Sequence, residues 1–264
     1  MRYPYVGGLV LALLTATGGC ARDGDAGVEV VPGFNTRGYS QSVAVAIISP
    51  QPGEVVQNPV QLQLVLSGFE LGVATPGADL RGIQLAEGGQ HLHIIVDDEP
   101  YMTVYDADKP LDLGNLTPGP HAVRVIPSLQ WHEGLKGPGA FEAAQFYVET
   151  QSGTLPIVPG SALLTFSRPM GTYRDADADS VLVDFHVRNA QVGPGKLKVR
   201  LTIDDTQAED LSLWVPYYLV GLAPGPHTIR LELRDQLGRF VIGPYNRSTH
   251  IITVERDTLA AGPS

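Results

Sequence analysis

The chain has 264 residues, 43% of them hydrophobic and 17% charged, enough apolar material to bury a core and too much for a disordered tail. Its 30 Gly and 21 Pro argue for many turns and against long helical bundles. Lys+Arg 18 against Asp+Glu 28 sets a formal net charge of -10, which repels polyphosphate, so nucleic acid is excluded as the expected partner. In chain order, the first element is a basic residue, Arg2, followed by an apolar run from Val6 to Ala16 that is too short to span a bilayer as a helix. This pattern reads as a signal peptide over residues 1–19.

The run ends in Thr17-Gly18-Gly19-Cys20, which resembles the bacterial lipoprotein signal of small residues followed by a cysteine. The resemblance implies that Cys20 is the first mature residue and carries a covalent lipid. The protein would then be extracytoplasmic and anchored to a bacterial membrane, at the periplasmic face or in the outer membrane. Thr17 departs from the Leu, Val or Ile usual at that position, and Ala21, instead of Asp, leaves outer-membrane sorting open. Cys20 is the only cysteine, so an internal disulfide and a thiolate metal cluster are both excluded. Residues 20–42, Gly-rich and acidic at Arg22-Asp23-Gly24-Asp25, are expected to form the lipidated cysteine and a flexible tether.

Beyond the tether come short runs of β-formers bounded by Gly and Pro, with no 3.6-residue apolar stripe, so the fold class is all-β. The segment Leu116-Thr-Pro-Gly-Pro-His-Ala-Val-Arg-Val125 repeats as Leu222-Ala-Pro-Gly-Pro-His-Thr-Ile-Arg-Leu231, 106 residues later. Two copies of one domain follow, each of a size that fits a β-sandwich. The repeated segment resembles the penultimate strand of bacterial immunoglobulin-like and fibronectin-type-III-like domains. That resemblance implies two tandem immunoglobulin-like sandwiches, at 43–150 and 161–256, with a linker at 151–160 and a tail at 257–264.

Alternation predicts that Leu92, Ile94 and Val96 face the first core while His91, His93 and Ile95 face solvent. Ile126 and Tyr147 on neighbouring strands are expected on the same exposed face, a docking surface less charged than its counterpart in copy two. Two segments of copy one, 69–90 and 127–139, are longer than their equivalents, and the second carries Trp131, His132, Glu133 and Lys136. Loops at one end of a sandwich commonly hold recognition residues. The leading expectation is therefore a non-catalytic, membrane-anchored binding or scaffolding protein that docks on another envelope or membrane protein through these residues, with no cofactor required.

Two alternatives stand beside it. His91, His93, His132 and Glu133 form an N3O set suited to zinc or oxidised copper, because the antiparallel neighbour of the first His pair leads into the Trp131 loop. Trp131 would equally serve a glycan-binding module by stacking on sugar rings. His121 and His227 occupy equivalent corners and read as structural, and the acidic run Asp175-Ala-Asp-Ala-Asp179 lacks the Gly and Glu of a calcium loop. No nucleophile elbow, zincin helix, phosphate loop or dinucleotide fingerprint is present, so catalysis is not expected.

Overall fold

Alternating β-formers broken by Pro and Gly produce seventeen strands in this computed structural model, which describes residues 27–33 and 42–256. Cys20, the expected signal peptide and the 257–264 tail lie outside the described residues. Strand β1 (Glu29–Pro32) precedes eight strands of a first sandwich: β2 (Ala44–Ser49), β3 (Val55–Val56), β4 (Gln61–Ser67), β5 (His91–Val96), β6 (Met102–Val104), β7 (Leu111–Asp112), β8 (Gly119–Ser128) and β9 (Glu142–Val148). The second sandwich holds β10 (Leu163–Arg168), β11 (Gly171–Arg174), β12 (Val181–Arg188), β13 (Lys198–Ile203), β14 (Gln207–Leu211), β15 (Tyr217–Val220), β16 (Gly225–Arg234) and β17 (Arg247–Glu255).

The two sandwiches share one topology. The first pairs its strands as β2-β4-β7 and β3-β9-β8-β5-β6; the second repeats this as β10-β12-β15 and β11-β17-β16-β13-β14. In each, one short strand runs parallel to the last, β3 along β9 and β11 along β17, while the other pairings are antiparallel. That order is the immunoglobulin-like arrangement, so the chain is all-β with two such units. Leu92, Ile94 and Val96 enter the first core with Leu62, Val123, Val125 and Phe146, and Val199, Leu201 and Ile203 enter the second with Ile229 and Leu231.

The repeated Pro-Gly-Pro-His corner has one physical role in both copies. His121 Nδ1 lies 2.7 Å from Asp97 Oδ2 and its Nε2 lies 2.7 Å from the Thr117 carbonyl oxygen; His227 does the same with Asp204 and the Ala223 carbonyl oxygen. Each aspartate also accepts a backbone N–H from the strand after the histidine, Ala122 or Thr228. The brace holds Asp97 and Asp204 at φ of 51° and 50°, in the left-handed region where Asp is tolerated because its side chain bonds locally.

Part of the expected tether is structured. Glu29–Pro32 pairs antiparallel with β15, Val30 opposite Leu219, and Val28 and Val30 pack on the second core. An edge strand with free backbone groups and an apolar rim is a template for such pairing, which explains the departure from a fully flexible segment.

The larger departure concerns the face carrying His91, His93, Ile95, Ile126 and Tyr147. It is not exposed: all five are buried, because the β10-β12 face of the second sandwich covers much of it. Ile95, Ala122, Ile126 and Phe141 of the first unit form one apolar cluster with Leu163 and Tyr245 of the second. Both sides of β10 and β12 are consequently buried, Leu164, Phe166, Val183 and Phe185 toward their own core and Leu163, Thr165, Asp184 and His186 on the opposite side. Tyr147 instead turns its hydroxyl to the Gly153 carbonyl oxygen of the linker.

Across this interface Lys136 Nζ reaches Asp184 Oδ1 at 2.5 Å, with 3% and 1% of the side chains exposed. Asp184 Oδ2 also accepts the Gly134 N–H and the Ser167 hydroxyl, each at 3.0 Å. Removing one partner of a buried pair strands the other charge, so Asp184→Ala is expected to lower unfolding stability by about 3–5 kcal/mol. The double change Lys136→Met/Asp184→Leu should recover most of that loss. Urea unfolding of the three proteins checks it; equal midpoints for the wild type and Asp184→Ala would show that the pair does not hold the interface.

Candidate functional site

His91 and His93 lie two residues apart on β5 and therefore share a face. His91 pairs across the ladder with Ser128 near the end of β8, so the chain that leaves β8 returns past His91 within a few residues. The turn from Leu129 to Glu133 closes on two backbone bonds, His132 N–H to the Leu129 carbonyl oxygen at 2.8 Å and Leu129 N–H to the Glu133 carbonyl oxygen at 2.9 Å. These place His132 at φ 65°, a left-handed conformation that costs free energy for a non-glycine residue.

The three imidazoles meet. His91 Nε2 is 3.0 Å from His93 Nε2 and 3.1 Å from His132 Nδ1, and ligand nitrogens of all three lie within 4.8 Å of one another. They are 0%, 0% and 9% exposed. Tyr101 closes the cluster: its ring stacks on His93 with centroids 3.6 Å apart, and its hydroxyl lies 3.2 Å from His132 Nδ1.

Proton counting shows what this arrangement can accept. His91 Nδ1 faces the Gly89 carbonyl oxygen at 2.8 Å, an acceptor only, so Nδ1 carries the proton and Nε2 of the neutral ring presents a lone pair. His132 Nδ1 lies between His91 Nε2 at 3.1 Å and the Tyr101 hydroxyl at 3.2 Å, and in the tautomer protonated at Nε2 its single lone pair is directed toward both. His93 Nε2 faces the same point, and its Nδ1 is buried without a hydrogen-bond partner. In the tautomers that leave His93 Nε2 and His132 Nδ1 unprotonated, three lone pairs converge and a cation can accept all of them. Two nitrogens bound tetrahedrally at 2.0–2.1 Å are about 3.4 Å apart, close to the two separations from His91 Nε2, while the set as a whole lies within 4.8 Å.

Burial is the main reason the rings stay neutral. It holds the His93 pKa well below the ordinary value, with the neighbouring imidazoles, Arg168 and Lys136 acting in the same direction. It lowers His91 to about 4, against the bond to Gly89 that raises it and with Arg168 adding to the lowering, and it lowers His132 to about 2 with help from Arg168 and His91. Neutral imidazole is the metal-binding form.

The other residues expected at the site fall elsewhere. Glu133 is fully buried, but it is not in the three-histidine cluster; its Oε2 accepts the Trp131 indole N–H at 2.8 Å. The expected N3O set is therefore an N3 set. Trp131 is 1% exposed, packed among Leu129, Leu135 and Ala140 with the Arg81 guanidinium 4.2 Å above its ring, so it offers no surface for a sugar or a partner. The long 69–90 segment folds over it, with Ala86 N–H bonded to the Gln130 carbonyl oxygen and Thr75 bonded to Gln130. Lys136 serves the interface, not a surface, and the Asp175–Ala178 run is a 3-10 turn beside Asp179, which pairs with Arg256 at 2.5 Å.

Tyr101 and Arg168 were not singled out from the sequence. Tyr101 lies beyond the end of β5 and Arg168 in the other sandwich, so no spacing connects either to the histidines; only the fold brings them together.

The sequence matches no protein-family model and no curated protein. Among solved structures, the chain is similar to fibronectin(III)-like modules of Clostridium thermocellum CbhA at 12% identity, covering 83% of this chain and 98% of that one, with a TM-score of 0.29. It is also similar to the Bacteroides ovatus mixed-linkage glucan utilization locus protein SGBP-B, solved with a mixed-linkage heptasaccharide, at 11% identity over 80% of this chain and 47% of that one, TM-score 0.22. A third is the extracellular domain of the B. thetaiotaomicron hybrid two component system BT3049, at 9% identity over 85% and 40%, TM-score 0.27. At these scores the similarities assign no function, and the fold rests on the strand order itself. No described helix is long and apolar enough to cross a membrane.

The lowered histidine pKa values set a pH dependence. Unfolded histidines take up protons near pH 6.5, whereas native His91 waits until about 4, so the unfolded state binds more protons between those values and stability falls as pH drops through that window. His91 alone accounts for roughly 3 kcal/mol of that loss. Urea unfolding at pH 7 and pH 4.5 is expected to show a smaller difference for His91→Gln than for the wild type. His93, His132, His186 and His250, also buried with their pKa values lowered, are common to both proteins. Identical differences would mean that His91 is not held neutral.

Proposed function

We propose that this protein is a non-catalytic, extracytoplasmic binding protein, tethered to a bacterial membrane by lipid on Cys20, whose bound species is a zinc or copper ion held by His91, His93 and His132. The observation that carries the reading is the convergence of three buried nitrogens at 3.0 and 3.1 Å, with one ring nitrogen of the set left without a partner. Imidazole ligands suit zinc and copper, and three protein ligands leave a coordination position open. The docking reading is weaker, because the face it relied on is largely covered within the chain itself. The glycan reading loses its stacking residue, Trp131, to the interior.

Purified protein stripped of metal and titrated with zinc or copper(II) is expected to bind one ion per chain. At free metal a hundredfold above Kd, unfolding stability should rise by about 2.7 kcal/mol. His91→Ala/His93→Ala should abolish both effects, while His121→Ala should leave the stoichiometry at one. Absence of binding by calorimetry, with no stabilisation, would overturn the metal reading.

The anchoring is tested separately. Cys20→Ala is expected to move the protein from the membrane fraction to the soluble fraction of cells, and unchanged fractionation would overturn lipidation at Cys20.

A further inference from the structure

Three neutral imidazoles and a divalent cation make a site of charge +2, and the other sandwich brings a further cation against the Tyr101 ring. Arg168, at the end of β10, is 7% exposed, and its guanidinium stands 5.4 Å over the Tyr101 ring. Its Nη1 donates to the Gln84 side-chain oxygen at 3.2 Å and to the Tyr173 hydroxyl at 3.1 Å, both neutral acceptors. Its Nε is buried and has no hydrogen-bond partner. Among the described residues no carboxylate is paired with Arg168 in an ion pair, whereas the buried Lys136 does have one. Its ladder partner on β12, Asp184, is a carboxylate already engaged by Lys136, Gly134 and Ser167. A buried guanidinium with an unused donor and neutral hydrogen-bond acceptors is costly unless something anionic completes it.

The space for such a group exists. A cleft of about 320 Å³ between the sandwiches is lined by His132, Tyr101 and Arg168, with Gln84, Thr103 and Thr172 around them. The cleft is therefore lined at once by one histidine of the cluster and by Arg168.

We propose that this cleft is a binding site for a small carboxylate or carbonate, which would coordinate the metal at its open position with one oxygen and accept hydrogen bonds from Arg168 with the other. The proposal rests on the metal reading above. The chemistry fits on both sides: a planar guanidinium matches a planar oxyanion, and a three-histidine ion keeps one position for an exogenous ligand. The step is ligand exchange, in which a metal-bound water leaves as the oxyanion oxygen binds, with no oxidation or reduction. Arg168 raises the cost of the bare metal ion and lowers the cost of the metal–oxyanion pair, so the two ligands bind with positive cooperativity.

The test uses the full-length protein without its signal peptide, loaded with cobalt(II), whose visible absorption reports the coordination sphere. Acetate and bicarbonate titrated separately are expected to shift that absorption with saturation at one equivalent site. Arg168→Met should weaken the anion response by tenfold or more while cobalt affinity stays equal or tightens, since a nearby positive charge is gone. Arg168→Lys, which keeps the charge and loses the planar fork, should fall between the two, and circular dichroism of both variants verifies the fold. Loaded protein that ignores both anions, or Arg168→Met that responds as the wild type does, overturns the oxyanion site and leaves the metal reading standing. Failure of cobalt, zinc and copper to bind at all overturns the metal reading itself, and the oxyanion proposal with it.

Discussion

The buried pair between Lys136 and Asp184 is the contact on which the arrangement of this molecule turns, because it joins the two sandwiches at the loop that carries His132. Asp184 collects the Lys136 ammonium, the Gly134 N–H and the Ser167 hydroxyl, so one carboxylate of the second unit fixes two positions of that loop and its own neighbouring strand. Taking two charges out of water costs more than their attraction is sure to return, and the value of such a pair lies in the single geometry it accepts. Gly134 shows how narrow that geometry is: a Cβ there would stand 2.7 Å from Ile126 and 3.0 Å from Asp184 Oδ2.

With the loop held, polar groups on both sheets become interior groups that need partners. Arg124 stacks 4.1 Å over the Tyr245 ring, bonds the Asp97 carbonyl oxygen and approaches the Thr165 hydroxyl. His186 stacks on Phe141 and meets the edge of Trp214, and Arg188 donates to the Phe141 carbonyl oxygen. The contacts of Arg124 with Tyr245 and Thr165, and those of Phe141 with His186 and Arg188, cross from one sandwich to the other. The second unit therefore covers the first with matched polar groups, and the histidine cluster sits at the rim of that covered region, beside the cleft where Arg168 enters.

The same geometry explains why the rings are poised for a ligand. Desolvation keeps the imidazoles neutral, the left-handed His132 turns its nitrogen toward His91, and Arg168 discourages any proton from settling there. A site that repels protons would have the form that the proposed metal needs prepared in advance, which reduces the cost of organising it on binding.

Much of this is readable from local pattern. The repeated Pro-Gly-Pro-His corner, the paired aspartates and the alternation of Leu92, Ile94 and Val96 determine two copies of one sandwich, since turns and strand faces depend on residues close in sequence. The i, i+2 spacing of His91 and His93, with antiparallel return of the chain past His91, likewise brings His132 within reach. The fate of the outward face was decided only by tertiary structure. Alternating apolar and polar residues look the same whether the polar side meets water or a matched polar surface, and in copy two the equivalent Lys198 and Arg200 do remain part-exposed, paired with Asp210. What covers His91 and His93 in copy one is Tyr101, Tyr105 and His132; what covers Ile95 and Ile126 on the same face is Leu163 and Tyr245 of the other sandwich; and no periodicity within β5 records those contacts.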